Sequence, residues 1–179
     1  MGRKRRLLCA WLAAIALVMA SAGISRAQTL TAAASDAPIL VVKGEVKQEL
    51  RLSAADFKAL PRTKVTAKGH GGVSHAYEGV MLQLLLVKAG VPMSGEMRGK
   101  NMTLMVLLEA SDAYHAVFSL AELDPDFAGE QVIVADTEDG KALDAQHGPV
   151  QLVVPGDKRQ GRWVRMLNSI TVQRIGESK

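Results

Sequence analysis

The sequence predicts an α+β domain, built as a strand-rich mixed sheet with a few short helices. Two observations favour this class. The aromatic content is only 4% while Val, Leu and Ala are abundant, and short β-prone runs alternate with Gly, Pro and Asp turns along most of the chain. About 150 residues remain after the N-terminal segment, enough to bury one sizeable core. We therefore expect a single domain, over residues 39–175.

The N-terminal residues 1–27 have the pattern of a secretory signal peptide. Four basic residues at positions 3–6 precede an apolar run over 7–22, and Ser25-Arg26-Ala27 offers small residues to a signal peptidase. An uncleaved membrane anchor is the competing interpretation, because the run approaches spanning length. The pair Arg5-Arg6 leaves twin-arginine export open as well. We expect a periplasmic or secreted protein that has no membrane attachment after cleavage.

The positive charge of the chain comes from this segment. The whole chain has 22 basic and 18 acidic residues. Residues 1–27 hold five of the basic residues and none of the acidic ones, which leaves 17 basic against 18 acidic residues in the mature domain. A near-neutral domain gives no support for nucleic-acid binding. Cys9 is the one cysteine and lies in the same segment, so no disulfide framework is expected.

The first half of the domain alternates strands with helices, after an Ala- and Ser-rich lead-in over 28–38 that is typical of flexible segments. The predicted strands of this half are 39–46, 49–52, 63–68 and 73–77. The first two form a hairpin around Gly44 or the Lys47-Gln48 pair. Ser53 and Asp56 predict the start of a helix over 54–60. A Leu-rich helix over 81–89 ends at Gly90 and is expected to be buried on nearly every face.

The second half is predicted to consist mainly of strands joined by turns, after a loop over 93–100. The predicted strands are 102–108, 114–118, 131–135, 150–154 and 170–172. Residues 119–123 are predicted to form a capped helical turn, and residues 138–140 a tight turn. Glu122 and Asp124 are expected to be cap and turn residues.

A cationic loop framed by glycines follows the apolar run 150–154. Pro155-Gly156 stops the run, the loop contains Lys158, Arg159 and Arg162, and the segment 163–165 returns to the core. Glycines let backbone N–H groups approach a ligand, while Arg and Lys supply charge and forked hydrogen bonds. The loop is thus suited to a small anionic ligand. The alternative is a solvated basic loop beside a core-facing Trp163.

The same region resembles the signature of the sulfite-oxidase-type molybdopterin-binding domain. The resemblance is carried by the segments 147–156, 161–165 and 170–172, and by Tyr77-Glu78-Gly79-Val80 before the Leu-rich helix. It covers most of residues 65–172. The resemblance implies the barrel-like fold of that family, a pterin ligand with molybdopterin as the candidate cofactor, an oxidoreductase role and a periplasmic redox partner.

The resemblance also implies which residues contact the cofactor. His147 matches the family's pterin-contacting histidine, and Gln151 stands where the family has an arginine. Arg165 stands where the family has a lysine, which keeps the charge but changes the donor geometry. The remaining candidates are Gly148 in the motif, the phosphate-reaching Lys158, Arg159 and Arg162, and His70 and His75 in a turn at the cofactor mouth. The histidines lack the tight spacing of a metal site, so no metal ligands are predicted.

One residue of the family pattern is missing. Sulfite-oxidase-type enzymes hold molybdenum through a cysteine thiolate, a soft ligand, and the resemblance places Ala67 at that position. The family's active-site tyrosine and dimerisation domain follow its last signature strand, and we expect this chain, which ends at Lys179, to lack both. No triad or paired-carboxylate pattern supports hydrolase chemistry, and no catalytic residue is predicted.

Two hypotheses follow from these features. The first is a secreted domain that binds molybdopterin or a related pterin and takes part in redox chemistry. The second is a non-catalytic binding module on the same fold, which binds another small anion or a partner protein. Whether the chain is an enzyme is left open.

A hairpin turn also departs from the family. Asp112, Tyr114 and His115 lie where the family has Ser-Asp-Gly-Tyr, but Ala113 replaces the glycine. We expect the positive-φ turn to be lost or rearranged. Asp112 is predicted to be a turn residue first and a ligand contact second.

Overall fold

The computed structural model describes residues 37–176, in which twelve regular elements follow one another. They are β1 (Leu40–Gly44), β2 (Leu50–Leu52), α1 (Ala54–Lys58), β3 (Thr63–Lys68), β4 (Ser74–Met81), α2 (Leu82–Lys88), β5 (Leu104–Ala110), β6 (His115–Ser119), β7 (Ile133–Glu138), β8 (Lys141–Ala142), β9 (Gln151–Val153) and β10 (Leu167–Arg174). Short 3-10 turns lie between several of them. The proposed signal peptide and most of the lead-in fall outside the described residues.

The strands form two sheets. The first has the order β2-β1-β10-β5-β6, and its β1 and β10 run parallel while its other pairs are antiparallel. The second has the order β3-β4-β7, with β8 and β9 both pairing with β7. The α+β class with a mixed sheet and few helices is therefore confirmed, as two sheets that do not close into a barrel within the described part.

Alternating burial explains the strands. In β5, Leu104, Val106, Leu108 and Ala110 are buried while the residues between them are partly exposed, the pattern of a strand with one face on the core. In β7, four consecutive residues from Ile133 are buried. This strand lies between β4 and β9, and it is covered on both faces.

α1 begins where the capping pattern predicts, and α2 begins at Leu82, one residue after its predicted start. Ser53 caps α1 by accepting a hydrogen bond from the Asp56 N–H at 3.2 Å, and Asp56 accepts one in return from the Ser53 N–H at 3.1 Å. In α2, Leu82, Leu85 and Leu86 are buried, but Val87 is 50% exposed. The prediction of burial on nearly every face is wrong, because one helix can turn only part of its surface toward the core.

Several strands begin or end at residues other than the predicted ones. β4 continues through Gly79 to Met81 because it pairs with β7 along that length. β7 and β5 begin two residues later than predicted, and a 3-10 turn ending at Thr103 precedes β5. β10 has eight residues instead of three, because it has a partner on each side, β1 and β5.

The β5–β6 hairpin keeps the turn that the sequence predicts to be lost. Ala113 has φ +68°, a left-handed conformation. The Tyr114 N–H donates to the Asp112 carboxylate at 3.0 Å, so Asp112 is the turn residue as predicted. Asp124 is also a turn residue, since its carboxylate accepts from the backbone N–H groups of Ser94 and Asp126.

Within residues 37–176, none of the helices combines the length and the apolar character that a membrane crossing requires.

Candidate functional site

A cleft of about 1030 Å³ lies between the β3–β4 connection and the loop that joins β9 to β10. The two walls are tied together by Gln160, whose side-chain amide donates to the Lys68 carbonyl at 2.7 Å. The β3–β4 connection turns through Gly71 and Gly72, with φ of +85° and +81°. Glycine is suited to both positions, because side chains rarely adopt such angles. We call this cavity the cationic cleft.

The lining of the cationic cleft carries an excess of positive charge. Four exposed basic side chains line it: Lys68, Lys158, Arg159 and Arg165. The only carboxylate among the lining residues is Asp157, and Arg162 already binds it. A concave surface with unbalanced positive charge attracts and holds anions.

Arg162 holds the loop instead of lining the cleft. Its guanidinium donates twice to Asp157, at 3.0 and 2.6 Å, and once to Glu122, at 2.7 Å. It also lies over the Phe118 ring, 4.4 Å from the centroid. The hydrogen bonds to Asp157 and Glu122 raise the pKa of Arg162 above its ordinary value. These contacts fix the shape of the loop on which Lys158 and Arg159 lie.

A second cavity, of about 210 Å³, adjoins the cationic cleft and shares Gln160 and Arg165 with it. We call it the small cavity. It is lined by His75, Tyr77, Glu138, His147, Gln151, Gln160, Trp163 and Arg165. A third cavity of about 280 Å³ also contains Gln160 and Arg165. Arg165 thus lies where the three cavities meet, and four predicted site residues line the small one.

Aspartates orient both histidines of the small cavity. His147 Nδ1 lies 2.7 Å from the Asp144 carboxylate, and His75 Nδ1 lies 2.7 Å from the Asp139 carboxylate. The hydrogen bond that the His75 imidazole donates to the Asp139 carboxylate raises the pKa of His75, and Asp139 is itself fixed because it accepts from the Ala76 N–H at 2.9 Å. Each Nδ1 is engaged, which sets the ring orientation.

Two aromatic rings form a wall of the small cavity. Tyr77 packs edge-on against Trp163, with ring centroids 5.5 Å apart. The Tyr77 hydroxyl donates to Glu138 at 3.0 Å, and burial together with this bond raises the pKa of Tyr77. The Trp163 indole N–H donates to the Val154 carbonyl at 3.0 Å. Sequence reasoning missed Tyr77, Glu138 and Gln160 as site residues, because they resemble ordinary strand and loop positions.

Gly148 borders none of the three cavities, but its N–H donates to the Asp144 carbonyl at 2.8 Å and helps to place His147. The side chain of His70 falls outside the described part of the structure.

The lining fits an anionic heterocycle better than a metal held by protein side chains. Basic groups, a buried amide and two oriented imidazoles match a ligand with a charged end and polar ring edges. Ala67, where the sequence resemblance predicts the metal ligand, lines the cationic cleft with a methyl group. Among residues 37–176, no three His, Cys, Asp or Glu side chains are grouped as metal ligands.

Residues 29–178 match the family model described as oxidoreductase molybdopterin binding domain, and the chain belongs to this family. The family resemblance of the sequence is thereby confirmed.

A solved structure supports the same fold. The chain is similar to the crystal structure of the sulfane dehydrogenase SoxCD from Paracoccus pantotrophus, with a TM-score of 0.59 and 22% identity over 77% of this chain. The match covers 39% of that chain, so this protein spans about two fifths of the relative's length. At this identity the likeness concerns the fold. Comparison with curated protein sequences gave no match.

Proposed function

We propose that this protein is an exported domain that binds molybdopterin, with the phosphate of the cofactor in the cationic cleft. The observation that carries the proposal is the set of four basic side chains lining one cleft, with its only carboxylate already bound. Arg165, Lys158 and Arg159 would hold the phosphate, and His147 and Gln151 would contact the ring. Family membership supports this ligand.

The proposal extends to a redox role with a periplasmic redox partner. When bound, the cofactor supplies the redox chemistry, while the protein binds and orients it and controls access of water. The residues proposed for these tasks are the basic side chains of the cleft and the Asp-oriented histidines. Because Ala67 offers no thiolate, we assign no protein ligand to molybdenum.

A specific observation favours a second candidate. The methyl group of Ala67 lines the cleft where the family resemblance places the metal ligand. A domain with this change is suited to bind a small anion, or a partner protein at the same cleft, without catalysis.

One experiment separates the two candidates. The protein is purified from its native export route, its molybdenum is measured by mass spectrometry, and oxidised pterin is released and measured by fluorescence. Stoichiometric pterin supports the first proposal. Protein free of both pterin and molybdenum, even after incubation with molybdopterin, contradicts it and supports the second. Replacing Ala67 with Cys gives a matched variant, in which molybdenum content is expected to rise if the pterin site is intact.

A further inference from the structure

Phosphate binding explains the cationic cleft but not the polar lining of the small cavity. We propose that Glu138 and Gln151 select the aminopyrimidinone edge of a pterin ring, in which a ring N–H and an amino group lie beside a carbonyl oxygen. This inference rests on the proposed function and deepens it, since it assigns ring specificity to Glu138, which lies outside the family signature, and to Gln151, which stands where the signature has an arginine.

Glu138 lines the small cavity and has acceptor capacity that the described part of the protein does not use. Its Oε1 accepts from the Tyr77 hydroxyl at 3.0 Å and lies 3.4 Å from His75 Nδ1. Within residues 37–176, its Oε2 accepts no hydrogen bond. A carboxylate has about four acceptor positions. Glu138 can therefore accept hydrogen bonds from the ring N–H and from the adjacent amino group. A ring with a carbonyl oxygen in place of the amino group would lose one of these two hydrogen bonds and would place that oxygen against the carboxylate.

Gln151 is the residue that we expect to bind the carbonyl end of the same ring edge. Its side chain lines the small cavity although the residue is only 3% exposed. No hydrogen bond joins its side-chain amide to another group of the described part of the chain. The amide is open to the cavity, since Arg62 Nη1 is the one side-chain polar atom of the described part that is both fully buried and unpaired, and a ligand in the cavity would replace water as the partner of the Gln151 amide. The amide N–H can donate to the ring carbonyl.

The two cavities are arranged for one ligand with two ends. Gln160 and Arg165 line both the small cavity and the cationic cleft. A ring seated against Tyr77 and Trp163 would therefore direct an attached phosphate chain toward Lys158 and Arg159. The aromatic walls are fixed by their own hydrogen bonds, so the slot exists before the ligand enters.

The test compares two ring ligands by calorimetry. Lumazine differs from pterin in carrying an oxygen in place of the amino group. The full chain is expected to bind pterin about 10- to 100-fold more tightly than lumazine, the range for a lost hydrogen bond to a charged group. E138Q should reduce this preference below about threefold. Q151L should weaken both ligands. The control E96Q, on an exposed glutamate outside the cavity, should keep the preference.

A further measurement, the binding of pyrophosphate, distinguishes failure of this inference from failure of the proposed function. Pyrophosphate probes the cationic cleft alone, and E138Q should bind it as the wild type does. If wild type binds pyrophosphate but shows equal affinity for pterin and lumazine, or if folded E138Q keeps the preference, the inference is overturned while the proposed function stands. If neither pyrophosphate nor pterin binds, the proposed function is contradicted, and the inference that rests on it is contradicted as well.

A guanine nucleotide presents the same hydrogen-bonding edge as a pterin. Tighter binding of GMP than of a pterin phosphate, abolished by E138Q, would overturn the assignment to a pterin. Because Glu138 contacts Tyr77, folding of E138Q is checked by thermal melting, and Y77F serves as a second variant. Y77F removes the protein donor to Glu138 and is expected to retain the preference for pterin, whereas loss of the preference in Y77F would contradict the role of Glu138.

Discussion

Arg162 and Arg165 lie three residues apart in the same segment and contact different groups. The Arg162 guanidinium is bound by Asp157 and Glu122, whereas Arg165 is exposed and lines all three cavities. We predict that R165A weakens pyrophosphate binding roughly 10- to 100-fold, because a charged hydrogen-bond donor to the ligand is lost. Titration calorimetry measures the effect, and the melting temperature should be unchanged.

R162A is the matched comparison. It removes contacts within the protein, so we expect a lower free energy of unfolding, by about 1–3 kcal/mol, in urea denaturation. Binding that remains is expected to have near wild-type affinity in the folded fraction. An R165A variant that binds pyrophosphate normally would contradict the placement of the anion at Arg165.

The His75–Asp139 pair predicts a pH dependence of stability. The hydrogen bond that the His75 imidazole donates to the Asp139 carboxylate raises the pKa of His75 above 6.5 in the folded state. The protonated pair therefore contributes its full stability below about pH 6.5 and loses it as the pH rises through the raised pKa. We expect the stability difference between wild type and H75Q to shrink across this window, measured by urea denaturation at several pH values.

D139N provides the control for this titration. Asn tolerates the positive φ of +48° at this position, so the turn should be retained while the charge is removed. The imidazole pKa of His75, followed by NMR, should then fall toward its ordinary value. An unchanged pKa would show that Asp139 is not the cause.

Ala113 is predicted to be a suboptimal turn residue. Its φ of +68° is unfavourable for a residue with a Cβ, whereas glycine adopts it readily. A113G should raise the free energy of unfolding by about 0.5–1 kcal/mol. The same change in the exposed helix position Ala55 should lower stability by about 1 kcal/mol. Destabilisation by A113G in thermal melts would contradict the turn geometry.

At the scale of the element, Gly79 allows the β4 backbone to approach the β7 backbone closely. The register shifts at Glu78–Gly79, and a Cβ added to Gly79 would lie 2.0 Å from the Val134 carbonyl oxygen. G79A should therefore force the strands apart and cost about 3 kcal/mol or more in urea denaturation. Gly95, where an added Cβ meets nothing within 4 Å, is the control, and G95A should change stability by less than about 0.5 kcal/mol. Equal effects would refute the close approach.

The elements themselves were predictable to different degrees. Capping signals and turn residues located the start of α1 and the turn at Asp139-Gly140, since these depend on neighbouring residues. The extent of β10 was not predictable, because its length is set by β1 and β5 on either side. Strand ends depend on partners that are distant in the sequence.

At the scale of the whole molecule, ligand binding and folding are linked. The cationic cleft is formed by the β3–β4 connection and the β9–β10 loop, and the hydrogen bond between Gln160 and Lys68 that joins them spans 92 residues of sequence. A ligand that binds only the assembled cleft stabilises the fold. At 100 times its Kd, pyrophosphate should raise the free energy of unfolding by about 2.7 kcal/mol.

Thermal melting with increasing pyrophosphate measures this linkage. Sodium chloride at equal ionic strength is the control, because it screens charge without occupying the cleft. A melting temperature that does not change at saturating pyrophosphate would show that the cleft binds the anion no better when folded than when unfolded.

The sequence by itself determined the fold class, the family and the basic loop, because apolar runs, capping residues and the motif from His147 to Arg165 are local features of the chain. Only the tertiary structure decided which of the basic side chains are available to bind a ligand. It pairs Arg162 with Asp157 and leaves Arg165 open to the cavities, and it brings Glu138 and Tyr77 beside Gln151. The physical reason is that a side chain's role depends on the partners that folding places around it, and these partners come from distant segments.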